Sequence, residues 1–153
     1  MSKPASHIPA CFSAVTPYLL VKDGAAALTF YRQLFGAVEV SRMADPDGRV
    51  RHAQFNVGGA PLMLGEHPQV ASGAPDTFPA LSVYLYVEDA DAVVAKAVEL
   101  GARLIVPVGD RFYGNREGGI EDPHGIVWWV ATHVEDVTPD EMARRTAAHF
   151  GSA

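Results

Sequence analysis

The feature that most constrains this chain is a repeat. Tyr18-Leu19-Leu20-Val21-Lys22-Asp23 returns 66 residues on (from 18 to 84) as Tyr84-Leu85-Tyr86-Val87-Glu88-Asp89. Each copy alternates like a strand and runs from its Asp into an Ala-rich segment with helical spacing. Those segments close alike, at Leu34-Phe35-Gly36-Ala37 and at Leu100-Gly101-Ala102. Gly59-Ala60-Pro61-Leu62-Met63-Leu64 and Gly125-Ile126-Val127-Trp128-Trp129-Val130 keep the same offset. Two copies of roughly sixty residues are too few and too long for a solenoid. The repeat therefore implies two halves of one pseudo-symmetric domain spanning residues 1–153.

Within each half the order of elements is the same. Residues 15–22 read as a strand, and Asp23 is placed to cap a helix over 24–35 carrying the apolar stripe Ala27, Phe30, Tyr31, Leu34 and Phe35. Gly36 is a natural stop. Strands follow at 37–44, 49–57 and 60–66, separated by the Asp45-Pro46-Asp47-Gly48 turn and a Gly58-Gly59 hairpin. Residues 67–80, rich in proline and poor in aliphatics, read as a linker. The second half gives strand 81–88, helix 90–100, and strands 102–108, 112–121 and 126–132, the last two joined by Asp122-Pro123-His124-Gly125. Thr138-Pro139-Asp140-Glu141 is a capping box that opens a C-terminal helix over 139–150. The fold class expected is α+β: two βαβββ modules, about 15–66 and 81–133, and a terminal helix.

Alternation assigns the two faces of each strand. Leu19, Val21, Ala53, Phe55, Val57, Leu62, Leu64, Val83, Leu85, Val87, Trp128 and Val130 form a nearly aliphatic set to lie under the helices. The opposite set mixes hydroxyls, aromatics and thioether, which suits a half-polar pocket. From it we expect one cleft lined by Tyr18, His52, Gln54, Met63, Tyr84, Tyr86, Tyr113, Arg116 and Trp129. His52 is the candidate for proton transfer, since imidazole titrates near neutral pH; its other reading is a polar strand residue bonded to nearby backbone. Arg116 is the candidate clamp for an anionic group, or else a structural partner of Glu117, Glu121 or Asp122. The aromatics offer stacking surfaces, or simply fill core and interface. His133, Glu135 and Asp136 follow the last strand and read as a solvated loop. Cys11 has no base beside it and does not read as a catalytic thiolate.

Composition narrows the classes of partner. A net charge of −6 with no dense basic run excludes the electrostatic footprint of a nucleic-acid or anionic-membrane binder. No stretch reaches the eighteen or so apolar residues of a membrane helix. The N-terminus lacks a continuous apolar core and does not read as a signal peptide. A single cysteine forms no internal disulfide, so a reducing, cytoplasmic setting is expected.

The repeated strand-Asp-helix openings and the Asp122-Pro123-His124-Gly125 turn resemble the vicinal oxygen chelate superfamily of glyoxalases, bleomycin-resistance proteins and extradiol dioxygenases. Phe112-Tyr113-Gly114-Asn115-Arg116 and Ala131-Thr132-His133-Val134-Glu135-Asp136 resemble a bacterial glyoxalase-like subgroup with few defined activities. The resemblance covers residues 15–133 and implies a U-shaped mixed sheet around a cavity, commonly in a homodimer. Metal-dependent members carry His or Glu at four equivalent positions, which here are Thr16, Met63, Ser82 and Trp129. Those side chains do not supply the imidazole, carboxylate or thiolate that a divalent ion takes. No metal or other cofactor is therefore expected. Three readings follow: a metal-free protein binding a small planar or carboxylate-bearing compound, a metal-independent isomerase or lyase using His52 and Arg116, or a metal-dependent glyoxalase or dioxygenase with displaced ligands such as His52 and Glu66.

Overall fold

The computed structural model describes residues 7–14, 16–67 and 81–150. It forms two compact units, Met1–Ser72 and Gly73–Ala153, whose boundary falls in the expected linker. Apart from His67, that linker lies outside the described residues. The first unit runs β1 (Tyr18–Val21), α1 (Gly24–Phe35), β2 (Val38–Ala44), β3 (Val50–Val57) and β4 (Ala60–Glu66). The second runs β5 (Val83–Tyr86), α2 (Ala90–Glu99), β6 (Arg103–Asp110), β7 (Asn115–Glu121) and β8 (Val127–His133), followed by α3 (Pro139–Phe150). Both are βαβββ, and their mixed sheets have matching orders, β1-β4-β3-β2 and β5-β8-β7-β6. The outer strand pairs with the last strand in parallel, and the other pairings are antiparallel. Among the described residues, no helix is long and apolar enough to cross a membrane.

The two strand-to-helix corners are built identically. Asp23 and Asp89 sit in extended backbone, and their carboxylates accept from the amides of Ala26 at 2.9 Å and Ala92 at 3.0 Å. Such a cap satisfies an otherwise orphaned amide and stabilises by about 1 kcal/mol. At the far end of α1, Gly36 takes φ 65°, letting its amide reach the last carbonyls. Helix α1 buries Ala27, Leu28, Phe30, Tyr31 and Leu34. Tyr31 stacks flat on Phe55 of β3, with ring centroids 5.5 Å apart. In the second unit Trp128, Val130 and Ile120 are fully buried, and α2 packs across β6, β7 and β8.

Two expected strands are shorter than their apolar runs: 15–22 contracts to Tyr18–Val21, and 81–88 to Val83–Tyr86. A third boundary moves for a definite reason. Residues 112–114 are a turn, not the start of β7. Gly114 adopts φ 92°, and a Cβ there would lie 2.3 Å from the carbonyl oxygen of Glu135. Its own carbonyl accepts from the amides of Val134 and Glu135. The turn thus clamps the chain leaving β8. Helix α3 buries no residue, and it is tied down by Arg145, which donates to Glu135 and to the carbonyl of Phe112.

The turn into β8 is densely hydrogen-bonded. Asp122, only 3% exposed, accepts from the amides of His124 and Ile126 at 2.8 and 3.0 Å. Its other oxygen accepts from the indole of buried Trp128 at 2.9 Å. Charge-assisted bonds of this kind contribute about 1.5–3 kcal/mol each, and their loss strands buried donors. Asp122→Ala is therefore expected to lower unfolding free energy by about 3 kcal/mol in urea titration; a loss below about 1 kcal/mol would show the turn to be held otherwise.

Candidate functional site

In each unit one face of the sheet is covered by its helix, leaving an open face. On the open face of the second unit, cross-strand register sets Tyr84 beside Trp129 and Gly119, Tyr86 beside Ala131 and Glu117, and Asn115 beside His133. A Cβ at Gly119 would come 2.8 Å from the Trp129 ring, so the glycine gives the indole room over β7. The indole nitrogen donates to Ser82 Oγ at 3.1 Å. Tyr84 and Tyr86 remain 45% and 60% exposed, large apolar side chains held in solvent.

Their hydroxyls are nonetheless fixed. Tyr84 and Tyr113 both donate to the carboxylate of Glu117, a residue 6% exposed. The amide nitrogen of Asn115 donates to Tyr84 at 3.0 Å and to Tyr86 at 3.2 Å. His133 continues the chain, with Nδ1 3.1 Å from Asn115 Oδ1 and Nε2 2.8 Å from Asp136. Both ring nitrogens thus face oxygen atoms. Arg111 donates to the carbonyls of Pro107 and Glu117 and brings Nε to 3.7 Å from the Glu117 carboxylate. Burial, and then the bond to Glu117, pushes the Tyr113 phenol up to about 12 and raises that of Tyr84 as well. A shallow cavity of about 490 Å³ adjoins this face, lined by Tyr86, Val87, Glu88, Thr132 and His133.

On the open face of the first unit, register aligns Ser41, Gln54, Met63 and Tyr18 across four strands. The Tyr18 hydroxyl lies 3.3 Å from Nδ1 of His52. Gly65 leaves the space for that ring, since a Cβ there would meet its hydroxyl at 2.7 Å. Gln54 is 7% exposed, and its Nε2 has no hydrogen-bond partner among the described residues. A cavity of about 480 Å³ in this unit is lined by Lys22, Asp23, Asp45, Asp47, Gly48, Arg49, Arg51 and Glu66.

Of the nine expected lining residues, Tyr18, His52, Gln54 and Met63 share the first open face, and Tyr84, Tyr86 and Trp129 the second, where the Tyr113 hydroxyl joins them through Glu117. Arg116 does not join them. It is opposite Thr132, whose hydroxyl accepts from the first amide of α2, and so lies on the helix-covered face. Its guanidinium pairs with Asp91 of α2 at 2.6 Å and Asp110 of β6 at 3.1 Å, instead of with Glu117, Glu121 or Asp122. Ile120, four residues on and fully buried, carries the parity that marks this face. The same parity places Asn115 and Glu117, which the sequence did not put in the cleft, on the open side. His52 and Glu66 likewise fall on opposite faces of their sheet, so they do not form a displaced ligand pair. Glu135 and Asp136 lie in an exposed loop as expected, whereas His133 is exposed but ends strand β8; each is engaged, Glu135 with Arg145.

At the four positions where metal-dependent relatives hold their ion, the side chains do not fit one. Thr16 donates to the carbonyl of Ser13, Ser82 accepts the Trp129 indole, and Met63 offers a thioether. Among the described residues, no group of three or more His, Cys, Asp or Glu is arranged to hold a metal.

Comparison with known proteins bears on the whole arrangement. The family model described as Glyoxalase/Bleomycin resistance protein/Dioxygenase superfamily matches residues 11–130. An uncharacterized protein of Mycobacterium bovis is 35% identical over 135 residues, covering 84% of this chain and 89% of its own. The PhnB protein from Bacillus cereus superposes with a TM-score of 0.65 at 24% identity, over 78% of this chain and 99% of that one. The fosfomycin resistance protein FosX from Listeria monocytogenes gives 0.62 at 16% identity, over 85% and 97%. These two likenesses establish the fold.

The phenol network has a signature in alkaline titration. Tyr113 is expected to ionise near 12, against about 10 for an exposed phenol, and Tyr113→Phe identifies it by difference. Because its folded value is raised, its contribution to stability is complete below about pH 10 and is lost as pH rises through 12. Glu117→Gln should bring Tyr113 part of the way back, leaving the effect of burial. Ionisation of Tyr113 together with the exposed phenols would contradict the network.

Proposed function

The chain belongs to the glyoxalase/bleomycin resistance protein/dioxygenase superfamily, and within it we propose a metal-free binding protein for a small planar compound, held on the open face of the second unit. The observation that carries this reading is the set of exposed aromatic rings whose polar ends are anchored from beneath. Exposed aromatic surface is costly in water and gains most when a flat apolar partner covers it. Here rotamer freedom has already been spent, because Asn115, Glu117 and Ser82 hold the hydroxyls and the indole. Binding to such a face loses less entropy than binding to mobile rings. The adjoining cavity of about 490 Å³ has the size of a small-molecule site.

Electrostatics refine the ligand. The buried charged group on this face is the Glu117 carboxylate, and the guanidinium expected to meet an anion is engaged in two ion pairs on the other side of the sheet. A neutral or hydrogen-bond-donating planar compound fits this surface better than a carboxylate-bearing one. An isomerase or lyase built on His52 and Arg116 would need Arg116 free for substrate. As in the resemblance that first suggested the fold, the working assembly is a single domain in a cytoplasmic homodimer; a dimeric mass in light scattering would agree, and a monomeric one would remove that part.

The test is a screen of planar aromatic compounds by thermal shift, followed by titration against variants. Tyr86→Ala should weaken a hit about tenfold, equivalent to about 1.4 kcal/mol. Arg116→Ala and added chelator should leave affinity unchanged. Hits that ignore Tyr86→Ala, or that lose affinity with Arg116→Ala or on metal removal, would overturn the reading.

A further inference from the structure

The aromatic face of the second unit borders a carboxylate that the fold does not use. Glu88 follows Tyr86 by two residues, and both line the cavity of about 490 Å³ together with Val87, Thr132 and His133. Glu88 is exposed, and its carboxylate has no hydrogen bond or ion pair among the described residues. Its charged neighbours are committed elsewhere: Asp89 caps α2, Asp91 pairs with Arg116, and His133 meets Asp136. No Lys or Arg lines the cavity. Beside it the rings of Tyr84 and Tyr86 stand with centroids 5.3 Å apart, inclined at 56°. An aromatic face is electron-rich and attracts a cation held within about 6 Å of its centroid. Tyr84 donates its hydroxyl proton to Glu117, which polarises the phenol and makes its ring face more negative. Arg111 stands by Glu117 and offsets that carboxylate, so the unbalanced charge at this face is that of Glu88.

We infer that this face selects planar organic cations, rings bearing an amidinium or a similar flat cationic group, and that Glu88 is the residue that sets the preference. The inference rests on the small-molecule reading and narrows it. Among the neutral and donor-bearing compounds which that reading admits, the preferred ones carry positive charge. A flat, delocalised cation stacks on an aromatic face and is weakly hydrated, so it gives up little on leaving water. Its edge N–H groups then make charge-assisted bonds to a carboxylate within reach. A neutral amide of the same outline keeps the stacking and loses both the cation–π attraction and the charge on the bond. A carboxylate of that outline meets Glu88 as a like charge. Shape is common to all three, so charge decides.

The experiment uses the full chain with carbon-13 in its tyrosine rings and three compounds of one outline: benzamidine, benzamide and benzoate, which at neutral pH are cationic, neutral and anionic. Binding is followed by the ring resonances of Tyr86, identified by their disappearance in Tyr86→Leu. Benzamidine should bind about tenfold more tightly than benzamide, and benzoate more weakly than either. Glu88→Gln, a change at an exposed position, should leave the melting temperature as it is. It should weaken benzamidine about fivefold and leave benzamide unchanged. Tyr86→Leu should weaken both, because the ring is gone. Equal affinity for benzamidine and benzamide, a preference for benzoate, or an unchanged benzamidine affinity in Glu88→Gln would each overturn the inference. The two readings fail separately. If no planar compound binds the wild type, both fall. If planar compounds bind and depend on Tyr86 without favouring the cation, only the selection by charge falls.

Discussion

A carboxylate removed from water must be met by donors, and in the second unit Glu117 makes that demand in the middle of a sheet. Leaving it unbonded would cost several kcal/mol. Tyr84 and Tyr113 answer it from different elements, a strand and the turn before β7, and Arg111 stands near as the counter-charge. Tyr84 in turn accepts from Asn115, which also holds Tyr86 and reaches His133. The carboxylate thus orders a whole aromatic face through hydrogen bonds made at its polar edge. That leaves the flat surfaces of the rings turned outward, where they have no use to the fold itself.

The two units share an architecture and divide in chemistry. Each open face seats an aromatic ring beside a glycine, Tyr18 by Gly65 and Trp129 by Gly119, because a Cβ at either glycine would collide with the ring. Around that common device the first unit places an imidazole and a buried amide, and the second a network of phenols, carboxylate and amide. At the superfamily's metal positions Thr16, Met63, Ser82 and Trp129 supply no imidazole, carboxylate or thiolate to build a metal centre.

Much of this was legible in the chain. The 66-residue offset (from 18 to 84) fixed the order of elements, and α1 runs over the residues that Asp23 and Gly36 bracket. Alternation placed Tyr18, His52, Gln54, Met63, Tyr84, Tyr86 and Trp129 opposite the buried set. It failed on β7, where Gly118 and Gly119 erase the aliphatic signal and only Ile120 marks the covered face. Counting back from Ile120 would have sent Arg116 to the helix side and brought Asn115 and Glu117 forward. The clamp of Gly114 on Glu135 was beyond reach, because it depends on a close backbone approach between distant segments that no periodicity records.

The most direct measurement is of the rings themselves. With tyrosine rings carbon-13 labelled and each resonance assigned by substitution, a bound planar compound should shift Tyr84 and Tyr86 by ring current, and the Asn115 side-chain amide should stay hydrogen-bonded throughout. That pattern would show a prearranged face receiving a flat ligand. Saturable binding that leaves Tyr84 and Tyr86 unmoved, with shifts confined to residues such as Lys22, Arg51 and Glu66 around the other cavity, would contradict it.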